Sequence, residues 1–133
     1  MAFISVTRLR VRSAWYLPGF FWHAIQSQSQ AKKAKGNLGV GVFNDANLVF
    51  WTRSAWTDKA AMRAFMLSGP HRKAMPALLD ICNEASLVDW TQDSATLPDW
   101  KEAHRRLVAE GRRSKVRNPT PAHDAFEIPA PRA

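Results

Sequence analysis

His71 is the residue whose position in the sequence best suits chemistry. It follows the helix-breaking string Ser68-Gly69-Pro70, which places its imidazole at the start of a helix. There the helix dipole disfavours the imidazolium and keeps the ring neutral, able to accept a proton or to ligate iron. The plainer alternative is a helix-starting histidine that bonds a backbone group. His23, on an aromatic-rich helix, is a second pocket candidate, while His104 and His123 read as solvated. Arg8, Arg10 and Arg53 form a further constellation, with Arg8 and Arg53 on two strands expected to be adjacent. A buried guanidinium must be paired. These arginines therefore either hold an anionic group, such as a substrate carboxylate, an enolate or a haem propionate, or pair with Asp80, Glu84 or Asp89. Trp22, Trp51, Trp56 and Trp90, with Met75, either line an aromatic ligand pocket or belong to the core.

These residues are positioned by a simple order of elements. Alternation from Phe3 to Val11 predicts a strand. Leu17, Phe20, Phe21, Ala24, Ile25 and Gln28 recur at helical spacing, with Pro18 in the first turn, lysines at the end and Gly36 just beyond it. A second strand spans Leu38 to Phe43, the run Asn44-Asp45-Ala46-Asn47 is turn chemistry, and a third strand spans Leu48 to Trp56. Thr57 or Asp58 caps a helix carrying Ala61, Met62, Phe65 and Met66. That helix breaks at Ser68-Gly69-Pro70 and resumes through His71, Met75, Leu78, Leu79 and Cys82, before a fourth strand from Ala85 to Gln92. The order β-α-β-β-α-β is the split βαβ arrangement. Right-handed crossovers centre the first and third strands and put both helices on one face. The other face is then bare and aromatic, and the expectation is a symmetric homodimer that covers it. The ligand site is expected on the helix-covered face, near Arg8, Arg53 and His71.

Beyond the domain at residues 1–95, Asp99 caps a helix carrying Trp100, Ala103, His104 and Leu107, and a Pro-rich tail follows over the rest of residues 96–133. The chain has 133 residues and a net charge of +8, a size that buries a core without disulfides. Much of the excess charge sits on Arg105, Arg106, Arg112, Arg113, Lys115 and Arg117, in that extension. The single Cys82 points to a reducing compartment and reads as an inert buried thiol. No membrane span or signal peptide is apparent, so a cytoplasmic protein is expected. Gly36, Gly39 and Gly41 do not open a helix after a strand and are no dinucleotide loop. A bulge, or room for a neighbouring side chain, suits them better. There is no zinc spacing and no nucleophile elbow.

The string Leu48-Val49-Phe50-Trp51-Thr52-Arg53-Ser54-Ala55-Trp56-Thr57-Asp58, running into Ala61-Met62-Arg63-Ala64-Phe65-Met66, resembles the strand-to-helix junction of antibiotic-biosynthesis-monooxygenase-like proteins. Ser68-Gly69-Pro70-His71-Arg72-Lys73-Ala74-Met75 is most similar to an uncharacterised bacterial branch of that superfamily, and Ser5-Val6-Thr7-Arg8-Leu9-Arg10 is similar to the opening of spheroidene monooxygenases. The resemblance covers roughly Ala2 to Gln92. It implies an α+β, ferredoxin-like dimeric α/β barrel with a pocket between sheet and helices. The superfold hosts many reactions. The haem-degrading signature is missing: Phe65 stands at its tryptophan, Met75 at its histidine, and Thr7 or Arg8 at its first-strand asparagine. His71, one turn before Met75, is a neighbouring imidazole that would serve in place of the missing histidine.

The leading expectation is a small-molecule monooxygenase or related ligand-transforming enzyme acting on an aromatic or polyene-like substrate, cofactor-free or haem-dependent. His71, Arg8 and Arg53 are the catalytic candidates. The alternative is a ligand- or haem-binding accessory protein without chemistry. RNA binding through the basic surface ranks third, because the third strand lacks the glycines of an RNA-recognition motif. No specific nucleic-acid partner is expected.

Overall fold

The computed structural model describes residues 1–132. Strands β1 (Ala2–Val11), β2 (Asn37–Asn44), β3 (Val49–Trp56), β4 (Cys82–Gln92) and β5 (Arg112–Arg113) form one antiparallel sheet in the order β2-β3-β1-β4-β5. Helix α1 (Leu17–Lys33) connects β1 to β2, and helices α2 (Lys59–Met66) and α3 (Gly69–Ile81) connect β3 to β4. This is the expected βαββαβ core, with β1 and β3 central. Local chemistry sets the boundaries. Asp58 accepts from the Ala61 N–H and starts α2. Gly36 takes φ +88°, the left-handed conformation that ends α1, and its Hα faces Thr57 and Ala61 too closely for any side chain.

Strand alternation divides the side chains between two layers. Phe3, Leu9, Phe50 and Trp56 pack under α1, α2 and α3. Ile4, Val6, Val49, Trp51, Ala55, Val88 and Trp90 point to the opposite face. That second face is not bare. Helix α4 (Trp100–Glu110) lays Ala103 and Leu107 onto it, and Leu97, Trp100 and Ile128 close the edges. The uncovered sheet that argued for a second subunit is therefore absent, because the chain covers the face itself.

The segment beyond residue 95 is knitted into this layer. Strand β5 pairs with β4, and the short helix α5 (Pro121–Asp124) rests on the same strand. His104 Nε2 lies 2.7 Å from the Ile128 carbonyl oxygen, so that nitrogen donates. Near the chain end, Arg132 pairs with Asp45 at 3.2 Å. His123 is buried, with Nε2 3.0 Å from the Ser114 carbonyl and Nδ1 accepting from the Ala85 N–H. Both histidines expected in solvent thus have fixed partners. Cys82 opens β4 rather than sitting on a helix face, and burial pushes its thiol up to about 12.

Candidate functional site

The expected triad does not assemble. Arg8 and Arg53 lie on the α4 face of the sheet, whereas His71 lies in the α1–α3 layer on the other side. Arg8 is Cα partner to Trp51 on one neighbour and to Ser86 on the other. It is buried and donates to Glu84 Oε1 at 2.7 Å, while the Thr120 hydroxyl donates to Glu84 Oε2 at 2.7 Å. Glu84 titrates below the usual carboxylate range. Burial alone would raise it, but the hydrogen bonds from Arg8 and Thr120, with the charges of Arg8 and Arg10, outweigh that penalty. Arg53 lies on the Trp100 ring with its Cζ 4.3 Å from the centroid, donates to the Pro98 carbonyl and rests on Gly41. Gly41 is the glycine that makes room for a side chain. Both arginines are thus engaged within the chain, and neither faces the α1–α3 layer.

Trp51 and Trp56 are fully buried on opposite faces of β3. Trp51 donates to Asp45 at 3.3 Å. Trp22, expected in a pocket, is 65% exposed on the outer side of α1, and Met75 is 40% exposed on α3. His23 is half-buried on α1. No group of three or more metal-ligating side chains is clustered among the described residues.

His71 has one ring nitrogen engaged and the other without a partner. Its Nδ1 is 3.2 Å from the Met66 carbonyl oxygen, which only accepts, so Nδ1 carries the proton. Nε2 has no hydrogen-bond partner among the described residues and keeps its lone pair. Burial holds the ring's pKa below its ordinary 6.5, opposed by the Met66 carbonyl. The ring leans on Phe65 at 4.6 Å between centroids, and Phe65 stacks on Trp56 at 5.1 Å. Phe65 and Trp56 thus fill the space between His71 and the sheet.

The residue that fixes this junction was not visible in the sequence. Gln30, on α1, accepts the His71 N–H at 2.8 Å and donates to the Ser68 and Phe65 carbonyls at 2.8 and 3.2 Å. It supplies, from another helix, the cap that Ser68 does not give to α3. Gly69, at φ +56°, passes the chain close to the Gln30 amide. Beside this junction Ile25, Gln26, Ser29, Gln30, Lys33 and Pro70 line an open cleft of about 380 Å³.

A second feature is a polar band under the helices. The helix-side core is divided into two apolar clusters, one around Phe20 and Phe50 and the other around Phe3, Trp56 and Met62. Between them the register places Ser5 opposite Ser54 and Thr7 opposite Thr52, all half-buried. Ser54 accepts from Trp56 Nε1 at 2.9 Å, which leaves its own hydrogen to donate elsewhere. On α1, Ser27 falls on the stripe between buried Phe20 and Ala31, and its hydroxyl is buried without a protein partner. The alternation of Ser5, Thr7, Thr52 and Ser54 was legible in the sequence, but only as a strand signal.

Comparison with known proteins agrees with this architecture. SnoaB, a cofactor-independent oxygenase from Streptomyces nogalater, superposes with a TM-score of 0.59 at 17% identity, covering 74% of this chain and 98% of that one. A conserved protein from Methanosarcina mazei Go1 gives 0.63 at 14% identity, covering 70% and 94%. A structure described as an antibiotic biosynthesis monooxygenase gives 0.62 at 10% identity, covering 69% and 99%. At these identities the likeness is one of fold, and it is the fold that the sequence resemblance implied. No curated protein matches the chain. A family model described as a domain of unknown function, DUF3291, matches residues 3–128, from β1 past α5 and so including the segment that covers the sheet, and the chain belongs to that family.

Proposed function

We propose that the protein is a small-molecule monooxygenase, or a related ligand-transforming enzyme, acting on an aromatic or polyene-like substrate with His71 as the base. The observation that carries the proposal is the state of His71: neutral, with Nδ1–H committed to Met66 and Nε2 without a partner among the described residues, on a residue whose backbone N–H bonds Gln30 in the wall of the α1–α3 cleft. The fold shared with a cofactor-independent oxygenase supports the reaction class.

In the simplest form of this chemistry the substrate carries an acidic aryl CH₂ group. His71 Nε2 takes one of its protons, and the carbanion delivers its electrons to dioxygen to give a peroxide. Loss of water then leaves a carbonyl, so CH₂ and O₂ become C=O and H₂O. Lys33, in the cleft wall, is the cation available to an enolate or phenolate oxygen. Arg8 and Arg53 have no part in this step. The test is oxygen uptake with a hydroxylated anthrone, with mass spectrometry of the product. The proposal expects one oxygen gained and two hydrogens lost, with a rate that falls about 10²–10⁴-fold in His71→Ala. Uptake equal in the variant and the wild type would overturn it.

The polar band favours a second reading, a binding protein without chemistry. Ser5, Thr7, Thr52, Ser54 and Ser27 offer hydroxyls to a ligand, and among them there is no acid or base. On that reading a ligand binds with unchanged affinity in His71→Ala and is lost on substitution of Thr52 or Ser27. A homodimer remains part of the proposal, formed through the β2 edge, where Leu38 and Val42 are exposed. Light scattering on Val42→Lys tests that pairing.

A further inference from the structure

Helix α1 shows solvent a line of side chains that its packing does not explain. Trp15, in the turn that leads into the helix, is 87% exposed, Trp22 is 65% exposed and Ile25 is 64% exposed. With Pro18 and Ser29 they recur every three or four positions, so they share one outward face. The same face ends in exposed Lys32 and Lys33 at the helix C-terminus. At about 1.5 Å per residue, Trp22 stands roughly 15 Å from these lysines along the axis. Neither α1 nor α2 carries an acidic residue. On α3, which packs beside α1, exposed Arg72 and Lys73 add charge, and the one acid, Asp80, lies in the final turn.

Large apolar side chains this exposed are rarely left without a partner when they form a row. Trp15 and Trp22 stand exposed, and Ile25 borders the α1–α3 cleft, so the row suits insertion into something soft. Its surroundings are cationic: the only acid on α1 or α3 is Asp80, and it lies near Arg12 and Arg117. A second copy presenting this same face would bring mostly more lysine and arginine to the contact. Tryptophan and isoleucine on one helical face, flanked by lysine, is the composition that lies in a bilayer interface with its apolar residues among the acyl chains.

We infer that the α1–α3 face docks on an anionic lipid bilayer, with Trp15, Trp22 and Ile25 entering the interface and Lys32, Lys33, Arg72 and Lys73 meeting the headgroups. No helix among the described residues is long and apolar enough to cross a membrane, so the contact is peripheral. The inference stands whether or not His71 is catalytic. If the α1–α3 cleft holds a substrate, docking turns its mouth, at Ile25, Ser29 and Lys33, toward the lipid surface.

The test is co-sedimentation of the full chain with phosphatidylcholine vesicles that contain about 30 mol % phosphatidylserine, beside pure phosphatidylcholine vesicles. The expected result is binding that requires phosphatidylserine and weakens with salt, and that falls about tenfold in Trp15→Ser/Trp22→Ser and again in Lys32→Glu/Lys33→Glu. These positions are exposed, so the variants keep the fold, and circular dichroism with the unfolding midpoint verifies that they do. Three results would overturn the inference. One is no binding to the anionic vesicles. Another is binding that survives Trp15→Ser/Trp22→Ser unchanged, which would mark a nonspecific charge effect. The third is a dimer in solution that Trp22→Ser dissociates, which would assign the row to a second copy.

Discussion

Arg8 and Glu84, on adjacent strands, meet at 2.7 Å with both side chains buried under the C-terminal segment, and Thr120 from that segment completes the carboxylate. The pair ties the sheet to the chain's last third. Glu84→Ala leaves the guanidinium buried and unpaired, and should cost about 3–5 kcal/mol in urea unfolding. Thr120→Val removes one hydrogen bond and should cost about 1 kcal/mol.

The same carboxylate gives the stability a pH dependence. Its pKa is lower in the folded chain than in the unfolded one, so the unfolded state binds the proton more tightly. The contribution is therefore complete above the ordinary glutamate range and is lost as pH falls from there through the depressed folded value. Urea midpoints measured between neutral and strongly acidic pH should show this loss in the wild type and less of it in Glu84→Gln.

Arg53 and Gly41 are coupled by space. A methyl group on Gly41 would sit 3.0 Å from Arg53 Nε, so Gly41→Ala must move the guanidinium on Trp100. A loss of about 1–2 kcal/mol is expected. In an Arg53→Ala background the same change should cost little, and the double-mutant cycle reads the difference.

Gly36 is held by backbone and by contact together. At φ +88° an added Cβ would lie 2.6 Å from Ala61 Cβ and 2.8 Å from Thr57 Oγ1. Gly36→Ala should lower stability by more than about 1 kcal/mol, visible as a lower thermal midpoint.

Much of this fold is local and was legible in the sequence. Period-two alternation from Phe3 to Val11, the Asp58 and Asp99 caps and the Ser68-Gly69-Pro70 break each depend on neighbours in the chain. The faces were harder. Alternation shows that Arg8 and Phe3 point to opposite sides but not which side the helices take, and so Arg8 and Arg53 were expected beside His71. The extension was misread for a related reason. Ala103 and Leu107 look like an ordinary amphipathic stripe, and nothing local tells such a helix to cover its own sheet rather than leave that place to a second subunit. Gln30, 41 residues from the His71 N–H it accepts, carries no sequence signal at all.

Gln30→Ala removes the surrogate cap and should loosen the α2–α3 junction without disturbing the sheet. The expected sign is faster amide exchange at His71, with Arg72, whose own N–H donates to the Ser68 carbonyl rather than to Gln30, changed less. A cost of about 1 kcal/mol or more accompanies it.

Nitrogen-15 NMR of the His71 imidazole, followed through a pH titration, tests the proposed base most directly. The account predicts a neutral ring at pH 7 with the proton on Nδ1, an unprotonated Nε2, and a pKa below 6.5. Because the folded pKa is depressed, the ring's contribution to stability is whole above 6.5 and is lost as pH falls through the folded value. A proton on Nε2, or a pKa above 6.5, would contradict the assignment of His71 as the base.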